Sequence, residues 1–275
     1  MLDYKVVICG CTKNSGSYIL DRLVKLSHLG KKFNQYKIII YENDSTDNTI
    51  ERFKTFKKHC SKFQYISENG IANKYSGFHS RVQIITHGRN TLLNLVEKQY
   101  ADYDLLIMID LDDVMKDFDS QNVVEIFSKY TIEHWDGLTA NCAGSYYDIW
   151  ALRIPPHIWK DELHGKIWDK PLNHDCWNEI VDDIPVRTCI KNYQKPIPVH
   201  MPLIETESSF NGLGIYKISK IRGCRYDAFN RDKDNNIIFG QCEHVSFHRK
   251  IRQTSGRIFI CPLMRMSCAM EHIQK

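Results

Sequence analysis

Apolar positions along the first half of this chain alternate between two patterns. Short runs at residues 6–9, 37–41, 63–66 and 105–109 have the length and β-branched content of strands. Between them, apolar residues recur three and four apart: Ile19, Leu20, Leu23, Leu26 and Leu29, then Ile50, Phe53 and Phe56, then Val82, Ile85, Leu92, Leu93 and Val96. That spacing predicts helices with one buried face. Strand and helix patterns taken in turn predict an α/β architecture. The run Leu105-Leu106-Ile107-Met108-Ile109 is apolar throughout, as in a strand covered on both faces, and it leads straight into Asp110-Leu111-Asp112-Asp113.

Open α/β sheets bind ligands beyond the carboxyl ends of their strands. Three carboxylates crowded there repel one another unless a positive charge lies between them. A hard cation such as Mg²⁺ or Mn²⁺, itself neutralising a phosphate, relieves that repulsion. A solvated acidic turn is the plain alternative. The loop after the first strand, with Gly10, Thr12, Asn14 and Gly16, presents backbone N–H groups to a phosphate or ribose, or is an ordinary strand-to-helix turn. It lacks the GxxxxGK[ST] of a P-loop. Asn48 with Glu51 three residues on forms an N-capping pattern. Arg81, Arg89 and Asn90 fall near one edge of their helix; they suit a diphosphate, or are solvated surface residues.

The second half is less regular. A strand is expected at residues 137–142, and residues 155–202 hold most of the eight prolines with Trp159, Trp168 and Trp177. Aromatic and acidic residues mixed in loops suit a sugar-acceptor surface, although tryptophan also simply covers cores. Asn211-Gly212-Leu213-Gly214 opens a glycine-punctuated strand that a ligand can approach closely, or a β-bulge. Read as a strand, residues 241–248 turn Val245 and Phe247 inward and place His244, Ser246 and His248 on the opposite face, beside Glu243. Asp182-Asp183 receives no role.

The stretch Glu42-Asn43-Asp44-Ser45-Thr46-Asp47-Asn48-Thr49 resembles the D-x-S-x-D-x-T-like turn after the second strand of GT-A nucleotide-sugar glycosyltransferases. Arg81, Arg89-Asn90-x-Leu92-Leu93, the acidic cluster and Tyr147-Asp148-Ile149-Trp150 together resemble the fungal capsule α-1,3-mannosyltransferases over roughly residues 5–150. The acidic cluster departs from that family in being a fuller Asp-x-Asp. The resemblance implies an α/β fold of GT-A type, a Rossmann-like mixed sheet flanked by helices in a single domain. Residues 1–115 would bind a GDP- or UDP-linked sugar and residues 116–275 a carbohydrate acceptor. It implies that Glu42 reads the nucleobase with Asp44 beside it, and that Thr12 and Asn14 line the nucleotide. Arg81 and Arg89 would take the diphosphate, while Asn211 and Gly212 line the sugar. Asp112 would ligate Mn²⁺ or Mg²⁺, and Asp110 would hold the ribose, or the metal through water. Asp113 would support the metal or contact a sugar hydroxyl. His244 or His248 would add a metal or diphosphate contact, and Glu243 would polarise the acceptor hydroxyl.

Bulk properties narrow the field further. With 275 residues, 43% hydrophobic, 25% charged and a net charge of +4, the chain reads as a globular protein without the basic stripe of a nucleic-acid binder. No apolar run approaches the ~20 residues of a membrane span, and no leader precedes the first strand pattern. Ten cysteines without a CxxC pair favour small buried thiols over a disulfide framework, hence a reduced, cytoplasmic protein, or a catalytic portion of a membrane-anchored parent. Two other functions fit parts of the sequence. Asp110-Leu111-Asp112-Asp113-Val114 matches the D-x-D-x-[TV] of haloacid-dehalogenase phosphatases, with Asp110 as nucleophile, although that motif normally ends the first core strand. A non-catalytic nucleotide- or carbohydrate-binding module would share the fold and tolerate loss of Asp112.

Overall fold

The structure, a computed structural model, describes residues 1–77, 79–177, 186–268 and 273. Asp182 and Asp183 lie outside these residues. The first half alternates as its pattern predicts: β1 (Leu2–Thr12), α1 (Ile19–Gly30), β2 (Phe33–Asn43), α2 (Thr49–His59), β3 (Phe63–Glu68), α3 (Ser80–Gln99), β4 (Leu105–Ile109) and α4 (Gln121–Lys129). The second half adds β5 (Gly137–Cys142), α5 (Val186–Tyr193), β6 (Ile204–Thr206), β7 (Leu213–Lys217) and α6 (Ile218–Ile221). It closes with a small hairpin of β8 (Phe229–Arg231) and β9 (Ile237–Gly240), then α7 (Glu243–Gln253) and β10 (Ile258–Met266).

Among the described residues one eight-stranded sheet runs in the order β3-β2-β1-β4-β7-β5-β10-β6. Strands β3, β2, β1 and β4 are parallel, β7 is antiparallel to both β4 and β5, and β6 is antiparallel to β10. From β1 the chain builds outward through β2 and β3, then α3 carries it back to β4 on the other side of β1. The strand order reverses between β1 and β4, which is where such sheets open a ligand crevice.

Alternation along the strands divides the core into two layers. Val6, Ile8, Ile38, Ile40, Leu105, Ile107 and Ile109 pack under α1, α2 and α4. Val7, Cys9, Ile39, Tyr41, Leu106 and Met108 pack under α3, α6 and α7. A third cluster, built on Tyr146, Ile149, Trp168, Leu172, Tyr193 and Met201, gathers the irregular segment. Trp168 is fully buried there, so its ring covers core, whereas Trp177 is 52% exposed.

Several sequence expectations change. Residues 243–253 are helical, so His244 and His248 lie one turn apart on a buried helix face and not along a strand. Its residues 243–248 are all buried, and a helix covered all round shows no polar face to betray its period. The start of α2 is capped by Asp47, whose Oδ1 accepts from Thr49 N at 3.0 Å and Thr49 Oγ1 at 2.6 Å, while Asn48 makes no cap bond. Cys176 and Cys189 are disulfide-linked with a Cα–Cα distance of 5.8 Å, a single bridge that the cysteine spacing does not predict; the other eight cysteines are free. The acidic motif follows the fourth strand, as the three β segments before it predict, whereas the dehalogenase-type motif normally ends the first core strand. No helix among the described residues is long and apolar enough to cross a membrane.

Helix α3 reaches the sheet through Gly88, where an added Cβ would lie 2.5 Å from Tyr41 Cδ1 and 3.0 Å from Cys11 Sγ. Gly88→Ala is therefore expected to lower stability by about 1–3 kcal/mol through overpacking, of which helix propensity returns at most about 1. A urea midpoint equal to or above that of the unsubstituted chain would show that α3 does not approach this closely.

Candidate functional site

The end of β4 is shaped by two close approaches. Asp110 N donates to Gly212 O at 2.8 Å, fastening the acidic turn to the turn before β7. Asn211 and Gly212 both have positive φ, at 59° and 89°. A Cβ on Gly212 would lie 2.9 Å from Val114 Cγ2 and 3.3 Å from Tyr147 Oη, so the position requires glycine for conformation and for space. Asn211 N in turn donates to Asp148 Oδ2 at 3.0 Å. Tyr147 and Asp148 belong to the Tyr-Asp-x-Trp segment, whose sequence alone gives neither a role. Burial raises the Asp148 carboxyl, against the Asn211 and Ala151 amides that stabilise its charge.

Beneath this turn lies Arg89, only 6% exposed along its side chain. Its Nη2 donates to Asp110 Oδ1 at 2.8 Å, and its Nη1 meets both Glu243 Oε1 and, at 2.7 Å, His244 Nε2. The guanidinium stacks 5.0 Å from the Phe210 ring centroid and 5.6 Å from that of Tyr226. Burial works against its charge, but Glu243 and Asp110 outweigh it and keep the group protonated. Arg89 is thus spent on protein carboxylates and does not face a diphosphate. Glu243, 8% exposed and bound to Arg89, is withdrawn from any acceptor hydroxyl. Arg81, eight residues earlier on α3 and so roughly 12 Å along its axis, is exposed and makes no hydrogen bond or ion pair with a described residue.

The two histidines are equally committed. His248 places Nδ1 at 3.0 Å from Ser208 Oγ and Nε2 at 2.8 Å from Tyr216 Oη, leaving neither nitrogen for a metal. Burial, helped by Arg89, pushes it down to about 3. His244 is held well below its ordinary value by burial, then Arg89 and His248. Its Nδ1 is buried without a hydrogen-bond partner, and so is the amide of Asn211 apart from a weak thiol contact with Cys142.

Carboxylates on the nucleotide side are also engaged. Glu42, buried, accepts from Ser45 N at 2.7 Å and Ser67 Oγ at 2.6 Å, so the turn engages both of its oxygens. Asp44, nearer the surface, is held low first by Asn43 and also by the Gly70 and Ala72 amides, which it fixes. The amides of Asn14, Ser15 and Gly16 donate to Ser45 Oγ, Thr49 Oγ1 and Asp47 Oδ2, each at 2.8 Å. They are therefore not available to a phosphate as the loop pattern suggested. Thr12 ends β1 beside Glu42 in the sheet register.

What remains open is acidic. Asp112 and Asp113 are exposed, and Asp112 Oδ1 accepts from Val114 N at 3.2 Å, leaving its Oδ2 without a partner among the described residues. Asp110, 35% exposed along its side chain, likewise leaves Oδ2 without a partner among the described residues. Its carboxyl is pushed up to about 7 by burial, against Arg89 and with Asp112, Glu243 and Asp148; solvent reaching a third of the side chain blunts that shift. Among the described residues no three donor atoms of this group lie within 4.8 Å of one another. Two hard oxygens with the rest of the shell open suit Mg²⁺ or Mn²⁺, which commonly complete coordination with substrate phosphates and water.

No protein-family model matches the chain, and no curated protein matches it in sequence. Among solved structures it is similar to the mannosyltransferase PcManGT from Pyrobaculum calidifontis in complex with GDP-Man and Mn²⁺. The TM-score is 0.53 at 11% identity, over 98% of this chain and 58% of that one. The chain has the GT-A fold. Weaker likenesses are to S. aureus TarS 1-349 in complex with UDP-GlcNAc (TM-score 0.48, 15% identity, 96% of this chain and 58% of that one) and to glucosyl-3-phosphoglycerate synthase from Mycobacterium tuberculosis (0.45, 11%, 96% and 70%). The chain spans little more than half the length of the first two.

Breaking a buried ion pair strands the remaining charges. Arg89→Met should lower stability by about 3–5 kcal/mol, and adding Glu243→Gln should return part of that loss by removing one stranded carboxylate. An unchanged urea midpoint for Arg89→Met would refute the pairing.

Proposed function

We propose that the chain is a metal-dependent glycosyltransferase that moves a hexose from a GDP- or UDP-linked sugar to a carbohydrate hydroxyl. One observation carries the reading: in a GT-A sheet, two carboxylates with free oxygens, Asp110 and Asp112, leave the central strand at the β1/β4 reversal. Those two residues would hold Mn²⁺ or Mg²⁺, which when bound neutralises the departing diphosphate. Arg89 holds Asp110 in one orientation through Oδ1 and leaves its Oδ2 without a partner among the described residues. Asp148 fixes the Asn211–Gly212 turn, whose glycine lets Val114 and Tyr147 close against its backbone. Asp113, exposed beside them, would contact a sugar hydroxyl. Asp44 and the loops it secures would form the base-side wall, with residues 1–115 serving the nucleotide and residues 116–275 the acceptor. The mannosyltransferase resemblance makes GDP-mannose the first donor to try. With Glu243 bound to Arg89, the case for an inverting base at that residue lapses.

Thermal-shift titration of GDP- and UDP-sugars with and without Mn²⁺ tests this. A ligand at 100 times its dissociation constant should stabilise the native state by about 2.7 kcal/mol, a rise of several degrees, only when metal is present. Asp112→Ala should abolish the shift, and loss of its bond to Val114 N should lower the unliganded Tm by no more than a few degrees. Stabilisation without sugar transfer across an acceptor panel would favour a binding module. Absence of nucleotide binding, with phosphate-ester hydrolysis lost in Asp110→Asn, would replace the proposal with a phosphatase.

A further inference from the structure

A second group of metal-type donors lies outside the acidic site, in the irregular third layer. His174 and Cys176 stand on the turn after the short bridge between Ile154 and Leu172, and Cys189 stands on α5. His174 Nε2 is 3.7 Å from Cys189 Sγ and 4.0 Å from Cys176 Sγ, and the three ligand atoms lie within 4.8 Å of one another. The turn is gripped between the two donors. Asp175 accepts from Trp150 Nε1 at 2.9 Å and Trp177 N at 2.9 Å, and pairs with Arg153 at 3.4 Å.

Zinc-class ions bind imidazole nitrogen at about 2.0–2.1 Å and thiolate sulfur at about 2.3 Å, so a tetrahedral site has nitrogen–sulfur edges of about 3.6 Å. The two edges seen here are close to that. Only the sulfur–sulfur edge differs, because the cysteines are joined; it would open to about 3.8 Å around an ion. Their Cα separation of 5.8 Å suits the disulfide and needs little change for a shared ion.

We propose that His174, Cys176 and Cys189 form a zinc-class metal site that alternates with the Cys176–Cys189 disulfide. Two equivalents of a thiol reductant cleave the sulfur–sulfur bond, passing two electrons and two protons to the cysteines and becoming a disulfide themselves. The ion then displaces both thiol protons and takes the Nε2 lone pair of neutral His174, with water in the fourth position. Both states tether α5 to the 172–177 turn inside the third hydrophobic cluster, so the segment stays stapled in either redox environment.

The test is anaerobic titration of the full, metal-stripped chain with Co²⁺ after reduction by a phosphine. The reduced chain should take up one equivalent with sulfur-to-cobalt charge-transfer and tetrahedral ligand-field bands, and Zn²⁺ should bleach them. The oxidised chain should show none. Cys176→Ser and Cys189→Ser should each abolish the charge-transfer signal of the intact site. His174→Gln, which leaves the disulfide pair untouched, should weaken binding by more than the roughly 10–100-fold lost when a merely supporting group is removed. The idea is overturned if the reduced chain binds no Co²⁺, or if the signal persists in the Cys176→Ser/Cys189→Ser double variant and so belongs to other cysteines. It is also overturned if His174→Gln binds as tightly as the unsubstituted chain. None of these readouts involves a nucleotide sugar or Mn²⁺, so the outcome is independent of the glycosyltransferase reading.

Discussion

A buried guanidinium cannot be left without counter-charge, and that requirement organises the centre of this molecule. Arg89 comes from α3, Asp110 from the end of β4 and Glu243 from the first turn of α7. Removing such a cation from water costs several kcal/mol unless carboxylates and rings replace the water. Glu243 gains further from its place at a helix N-terminus, where the macrodipole favours an anion. The cation therefore fixes where α7 begins relative to the sheet, and it holds one oxygen of Asp110 while the other stays open. Burial, with its charge added, keeps His244 and His248 neutral, so the layer around it carries fixed dipoles and one paired cation.

The same accounting separates structural carboxylates from available ones. Glu42 closes the turn after β2, Asp44 fixes the turn after β3, and Asp47 caps α2 while accepting from Gly16. The two loops after β1 and β2 consequently lock one another, with three successive amides of the first satisfied by side chains of the second. This wall is rigid, and it offers a ligand side chains and shape more than free backbone donors. Asp110 and Asp112 differ because each keeps an oxygen that no described residue satisfies. A motif cannot make that distinction, since all these residues sit in acidic, loop-forming sequence.

The alternating layers were legible because burial on both faces leaves continuous apolar runs in β4 and period-2 sorting of Val6 to Cys9 between the two cores. The acidic end of β4 was legible for the same reason, as an abrupt change of polarity. Arg89 was not. Nothing local distinguishes it from a surface arginine, and its partner Glu243 lies 154 residues away. Helix α7 was hidden by its own burial, and the Cys176–Cys189 pair by a spacing of 13 that no short motif marks. Asp148 carried a visible context, but its task, holding the Asn211 amide, exists only once β7 is placed beside β4.

The irregular layer achieves with polar anchors what the sheet achieves with strands. Trp168 Nε1 donates to Tyr193 O at 2.9 Å, His164 accepts from Lys160 N at 2.9 Å while its Nε2 contacts Glu205 O at 2.8 Å, and Asn141 Nδ2 reaches Ile197 O at 2.9 Å. Each bond is worth about 1 kcal/mol net, but leaving any of these buried groups unpaired would cost more. Conformation here is thus specified by the penalty for misplacing polar groups, with hydrophobic packing filling the spaces between. Of the three tryptophans in the segment, Trp168 belongs to that packing, whereas Trp177 keeps half its surface in solvent directly after Cys176. The turn that presents its ring is the turn tethered through Cys176 and gripped by Asp175. Through Trp150 the same grip runs back to the chain segment that carries Asp148, so the tether and the crevice share one short stretch of backbone.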